Sequence, residues 1–256
     1  MDFVLTSDLD WASEDCVADF LQIADRFSIK PTMFVTHDSA MVRRAAASGL
    51  AELGIHPNFL PGSDHGEDGA SVMDFVLRLA PNAIAMRAHR YIRSPEISSL
   101  IAARGLTIES NLCRHLARGI APEILPCGVL RLPVFFEDDV HWTEGGEWNF
   151  DAYRDAFLAP GLKILNFHPF FVALNAPDAA FYRRHKQRIK SLTSEQAKHL
   201  RHRGAGARSF LVEAITAVLA AGHRFVTLGQ LAAELRGQTA TTQAFRPAAD
   251  LMPLSM

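Results

Sequence analysis

Two aspartates, Asp8 and Asp10, close the apolar run Phe3-Val4-Leu5-Thr6 and are separated only by Leu9. Histidines follow later apolar runs: His56 ends Leu53-Gly54-Ile55, and His168 ends Leu165-Asn166-Phe167. Arg87 follows Ala83-Ile84-Ala85-Met86, and Glu137-Asp138-Asp139 follows Val134-Phe135-Phe136. Carboxylate and imidazole together suit zinc or a similar divalent ion. Such an ion acidifies bound water and polarises a carbonyl oxygen. A second carboxylate can then take the water proton, and a histidine on the opposite side can protonate a departing amine or alkoxide. An arginine beside the base holds it ionised through a charge-assisted pair. The chain supplies a candidate for each part, so the chemistry these residues suggest is metal-assisted hydrolysis.

The elements that carry these residues place them on one face. Short apolar, β-rich runs predict strands over 3–6, 31–36, 51–55, 83–86, 106–108, 129–136, 162–167 and 225–228. Pro133 favours an end or edge position within the sixth. Helices alternate with them. One starts at Ser13, a good N-cap before Glu14 and Asp15, and repeats Val17, Phe20, Leu21 and Ala24 at helical spacing. Others are predicted over 39–48, 72–79, 95–103 (with Gly105 beyond its end), 207–221 and 231–235. Strands alternating with helices imply parallel βαβ units. The expected fold is a distorted (β/α) barrel of seven or eight parallel strands, a single domain over 1–237 with a C-terminal extension over 238–256. Active sites of such barrels lie at the C-terminal ends of the strands, where Asp8, Asp10, His56, Arg87, Asp139 and His168 fall.

Composition narrows the function. The 256 residues carry a formal net charge of -2, and 48% are hydrophobic, enough for a large core and no sign of a nucleic-acid partner. No apolar stretch approaches the roughly 18 residues of a membrane-spanning helix. The start MDFVLTSDLD lacks the features of a signal peptide, so a soluble, cytoplasmic protein is expected. Cys16, Cys113 and Cys127 are scattered and imply neither a disulfide framework nor a structural zinc site. The segment 185–202 is rich in Lys, Arg and His and reads as a solvated helix or lid, with a specific anion site as the alternative.

The order Thr6-Ser7-Asp8-Leu9-Asp10, then Pro31-Thr32-Met33-Phe34-Val35, then Glu52-Leu53-Gly54-Ile55-His56 resembles the polysaccharide deacetylases with a NodB-type domain. Arg87-Ala88-His89-Arg90, Leu165-Asn166-Phe167-His168-Pro169 and Gly222-His223-Arg224-Phe225-Val226-Thr227-Leu228 extend the likeness. Ser7-Asp8-Leu9-Asp10-Trp11 and Gly54-Ile55-His56-Pro57-Asn58-Phe59 are similar to segments of WbmS-like deacetylases of O-antigen biosynthesis. The resemblance implies a divalent metal, with zinc expected, and hydrolysis of a sugar N-acetyl group. It implies Asp8 as catalytic base, Arg87 as the residue orienting it, His168 as catalytic acid and His56 as a metal ligand. The family's adjacent aspartates are here spread over Asp8-Leu9-Asp10, and Asp10 is the ligand because Leu9 cannot bind metal. The family's second histidine falls on Leu60. His65, in a glycine-bearing loop, is the expected replacement, with Asn58 and His89 as other substitutes. Asn58, His89, Asp139, Trp11 and Trp142 are the expected substrate-binding residues, the tryptophans as faces for sugar rings.

Absence of a leader would point to a nucleotide-linked or lipid-linked sugar, or an oligosaccharide intermediate, rather than a mature wall polymer. Three other readings fit parts of the pattern. They are a hydrolase of another non-peptide amide on the same barrel, a non-catalytic carbohydrate-binding relative, and a glycosyltransferase using Asp8-Leu9-Asp10 as an Asp-x-Asp motif. The oligomeric state leaves no trace in the sequence.

Overall fold

In the computed structural model, which describes residues 1–244, the first strand runs down the middle of the sheet. β1 (Asp2–Asp8) is followed by β2 (Thr32–Val35), β3 (Glu52–Ile55), β4 (Ala85–Met86), β5 (Ile108–Glu109), β6 (Glu123–Ile124), β7 (Leu130–Arg131), β8 (Phe136–Glu137), β9 (Lys163–Asn166) and β10 (Arg224–Val226). The order across the sheet is β6-β7-β5-β4-β3-β2-β1-β9-β8, with β10 pairing β1. Residues Asp2, Phe3 and Val4 pair with β10, and Thr6, Ser7 and Asp8 pair with β2, so two neighbours share one edge of β1. Every pair is parallel except β6 with β7.

Eight strands were expected and ten are present among the described residues. β6 is a two-residue antiparallel edge whose Ile124 is exposed, so no buried pattern marks it. The strand expected over 129–136 is divided into β7 and β8 at Pro133, which has no N–H to give to a ladder. The segment still works as one closing strip. Its first half pairs with β5, and Val134 N donates to Leu112 O at 2.8 Å. Its second half turns to β9, with Phe135 N donating to Ile164 O at 2.8 Å. One irregular strip thus joins the two sides of the curled sheet into a distorted, mostly parallel α/β barrel.

Helices cover the outside. Ser13 caps the Glu14–Arg26 helix, and Cys16, Val17, Phe20, Ile23 and Ala24 form its buried face. The Gly69–Leu79 helix starts three residues before its expected position, because Asp68 and Ser71 form a capping box. The Pro95–Ala103 helix is followed by Gly105 at φ 75°. The last helix, expected over 231–235, runs Leu228–Ala244. The proposed extension over 238–256 lies, beyond Ala244, outside the described residues. No described helix is long and apolar enough to cross a membrane.

Phe34 on β2 links this packing to the barrel interior. Its ring lies 4.4 Å from the Arg87 guanidinium carbon, and a Cβ on Gly54 of β3 would come within 2.5 Å of it. Gly54→Ala must therefore displace Phe34. It is expected to cost about 1–3 kcal/mol, as overpacking does, in urea unfolding; wild-type stability would show that the ring can yield freely.

Candidate active site

The period of two along β1 determines what faces the barrel interior. Thr6 and Asp8 point inward, where Arg87 bonds both, while Leu9 is buried in the core. Asp8 is thus presented by the strand itself, and Asp10 is brought to the same cavity by the turn that follows. Beyond β1 the chain turns sharply: Asp10 and Trp11 have φ of 44° and 58°. This left-handed conformation is unfavourable for non-glycine residues. Trp11 N donates to Thr36 Oγ1 at 3.1 Å, which fixes the turn to the end of β2.

Arg87, just after β4, is fully buried and donates to four neighbours. Nη1 reaches Asp8 Oδ1 at 2.9 Å, Thr6 Oγ1 at 2.9 Å and Asn166 Oδ1 at 2.6 Å. Nε and Nη2 reach Ser110 O at 3.0 Å and Ser110 Oγ at 2.9 Å. Burial opposes its charge, but Asp8, with Tyr91 and Glu137, outweighs this and raises the guanidinium above its usual range. Asn166 completes the cradle by donating from Nδ2 to Asp8 Oδ2 at 3.0 Å and to Glu137 Oε1 at 3.2 Å. Both oxygens of Asp8 are therefore fixed, each keeping a lone pair free.

Three donor atoms meet beside Asp8. His56 Nε2 and His89 Nδ1 each lie 3.1 Å from Asp10 Oδ1, and the ligand atoms of all three residues lie within 4.8 Å of one another. Burial raises the Asp10 carboxyl, but its bonds with His56 and His89 outweigh this and hold it well below the usual carboxylate range. One carboxylate and two imidazoles are a fitting donor set for a divalent ion such as zinc. His89 is carried on the loop after β4, where Arg90 and Tyr91 have φ of 57° and 54°. Both chain turns that bring a donor to this point thus contain two consecutive left-handed residues.

His65, the expected third ligand, does not join this group. Its Nδ1 accepts from Asn58 N at 3.0 Å, so in the neutral ring Nε2 carries the hydrogen and has no lone pair to give. Its ring stacks on Phe75 at 4.8 Å. Asn58 also serves the loop, its Oδ1 accepting from Leu60 N at 3.1 Å. His89, expected as a substrate contact or as an alternative to His65, stands where the missing histidine was sought. Trp11 borders the group, with ring centroids 5.3 Å from His89 and 5.7 Å from His65. Trp142 is one ring further out, on Phe171 at 4.6 Å.

Across the cavity, His168 follows β9. Its Nδ1 pairs with Asp138 Oδ1 at 2.6 Å, and its Nε2 lies 3.7 Å from Asp10 Oδ2 and 4.0 Å from Glu137 Oε1. Burial opposes protonation, but Asp138, then Asp139 and Asp10, raise His168 well above the ordinary imidazole range. Asp138 is fully buried, and burial lifts its carboxyl to about 6 against the pull of His168. Burial and the nearby charges of Asp139 and Asp8 push Glu137 well up, and Tyr91 Oη donates to it. Asp139 lies beside Asp138 and His168, and its Oδ1 is buried without a partner. Roles for Glu137, Asp138, Tyr91, Ser110 and Asn166 were missed from sequence. Asn166 was recoverable: it is the last residue of β9, as Asp8 is the last of β1.

The WbmS-like polysaccharide deacetylase family matches residues 5–186. No curated protein matches the sequence. Among solved structures, a Bordetella bronchiseptica protein (WbmS), described as a polysaccharide deacetylase involved in O-antigen biosynthesis, is similar at a TM-score of 0.76 and 26% identity. The match covers 84% of this chain and 89% of that one. A Mycobacterium smegmatis protein described as a polysaccharide deacetylase shares the fold at a TM-score of 0.56 and 18% identity, over 93% and 91% of the two chains.

Replacing Arg87 by Met would leave Asp8, Asn166 and Ser110 buried without their shared donor. Breaking a buried pair from one side typically costs about 3–5 kcal/mol. Chemical denaturation of Arg87→Met is expected to show a loss of that order; a variant as stable as wild type would contradict the central place given to this residue.

Proposed function

Because the chain belongs to the WbmS-like polysaccharide deacetylase family, we propose that it is a metal-dependent hydrolase that removes an N-acetyl, or other amide-linked acyl, group from a sugar. The observation that carries this reading is the division of labour in one cavity. A doubly fixed carboxylate, Asp8, stands between a converging donor set and His168, whose carboxylate neighbours favour its protonated form. Asp10, His56 and His89 would hold the ion, zinc being the best fit to one carboxylate and two imidazoles. That ion would supply a Lewis acid for the acyl oxygen and acidify water.

Asp8 accepts a proton from the attacking water through a lone pair left free by Arg87 and Asn166. The water oxygen bonds to the acyl carbon as the carbon–nitrogen bond breaks. His168 passes its Nε2 proton to the departing amine while Asp138 steadies Nδ1. Trp11, Trp142 and Asp139 border the space where a sugar would lie. The Asp-x-Asp glycosyltransferase reading is less suited to this geometry, since Arg87 and Asn166 occupy Asp8 while Asp10 turns to the histidines. The non-catalytic reading rested on a missing histidine, and His89 supplies one. We assign the enzyme to O-antigen or related surface-polysaccharide synthesis by analogy with the Bordetella protein. On that reading it works in the cytoplasm on a nucleotide-linked, lipid-linked or oligosaccharide intermediate.

Acetate release from N-acetylated sugars, with cyclic imides as the contrasting amides, tests the reaction. Asp8→Asn is expected to lower kcat by about 10²–10⁴, the usual contribution of a general base, with metal content unchanged; full activity would remove Asp8 as base. In metal analysis, His56→Ala and His89→Ala are expected to lose bound zinc and His65→Ala to keep it. The reverse order for the last two would restore His65 as ligand. The high-pH limb of kcat should report loss of the His168 proton. Since Asp138 raises that pKa, Asp138→Asn should move the limb to lower pH; an unmoved limb would dissociate the dyad from catalysis.

A further inference from the structure

A band of positive charge borders the site, and hydrolysis of a neutral acetamido group makes no use of it. Arg183, Arg184, Lys186, Arg188 and Lys190 occur within eight residues without one acidic residue, in a chain of formal net charge -2. All five are exposed. Among the described residues none of them takes part in an ion pair. Arginines further along differ: Arg201 and Arg208 are both paired with Asp19.

The segment is fixed at both ends to the catalytic face. At one end Tyr182 packs on Phe171 at 5.0 Å, and Phe171 lies 4.7 Å from the His168 ring. Tyr182 also lies in the field of Asp10, His168 and Asp139. At the other end Ser13, three residues beyond Asp10, donates from its backbone N to Ile189 O at 2.8 Å and from Oγ to Leu192 O at 2.6 Å. His37, just past the end of β2, is pushed down by burial first, and Lys190 adds to this. The cations therefore follow the rim from the His168 side to the β2 side. Five unpaired like charges repel one another. His185 registers them, being pushed down by burial and then by Arg184 and Arg188. Guanidinium forks match phosphate oxygens in geometry as well as charge.

We propose that this rim binds a diphosphate, so that the substrate is an N-acylated sugar carried on a nucleoside or lipid diphosphate, its acyl group reaching the cleft between Asp8 and His168. The assignment of the acyl group rests on the deacetylase reading; the diphosphate site does not. Binding is measured on the zinc-loaded protein and on Arg184→Glu/Arg188→Glu, whose altered side chains are exposed and unpaired. The probes are UDP-N-acetylglucosamine by calorimetry, and vesicles with or without a polyprenyl-diphosphate sugar by co-sedimentation. Wild type is expected to bind a diphosphate-linked sugar at least tenfold more tightly than the double variant, and more weakly as salt rises. Binding of the nucleotide sugar identifies a nucleoside carrier; binding only of sugar-bearing vesicles identifies a lipid carrier. Equal binding to phosphatidylglycerol vesicles without the sugar would overturn the proposal in favour of a membrane surface. Equal affinity of variant and wild type, or no binding by either, would also overturn it. Acetate release from a neutral N-acetylated oligosaccharide, measured in parallel, reports on the deacetylase reading alone.

Discussion

The site depends on one buried cation. Arg87 reaches from the end of β4 to side chains on β1 and β9 and to Ser110 just past β5, and stacks on Phe34 of β2. A guanidinium so deeply buried is costly to desolvate. It is tolerated because its donors all find acceptors, one of them the Asp8 carboxylate. The same bonds that satisfy Arg87 set the angle of Asp8 and the amide orientation of Asn166. Lysine could not replace it, having a single charged point and no planar fork.

Around this rigid centre, the donor group is delivered by strained turns. Asp10-Trp11 and Arg90-Tyr91 each place two consecutive non-glycine residues at positive φ, a conformation that persists only where surroundings over-determine it. Thr36 holds the first turn, and the bond from Tyr91 to Glu137 holds the second. Tyr91 therefore links the loop that carries His89 to the end of β8, next to Asp138, the partner of His168.

Much of this was legible in the sequence because strand ends obey simple rules. Apolar runs located the parallel strands, and the residues after them, Asp8, His56, Arg87 and His168, do share one cavity. What escaped depends on contacts between distant segments. Pro133 was recognised as awkward in a strand, but that the chain there changes partners from β5 to β9 is a tertiary fact. His65 was a reasonable substitute by spacing, yet a backbone N–H seven residues earlier claims its Nδ1. His89 was held only as a second choice to His65, besides a substrate contact, because nothing local shows that β4 lies beside β3 and so beside His56. Asp138 was not singled out as the partner of His168 because that pairing joins segments thirty residues apart.

The account turns on the claim that Asp10, His56 and His89 form a metal centre next to Asp8. Anomalous scattering at the zinc edge, from crystals of the zinc-loaded protein, tests it most directly. One strong peak bonded to Asp10, His56 and His89, with Asp8 still held by Arg87, is the predicted result. A peak bonded to His65 with His89 turned away, or no peak in this cavity, would contradict it.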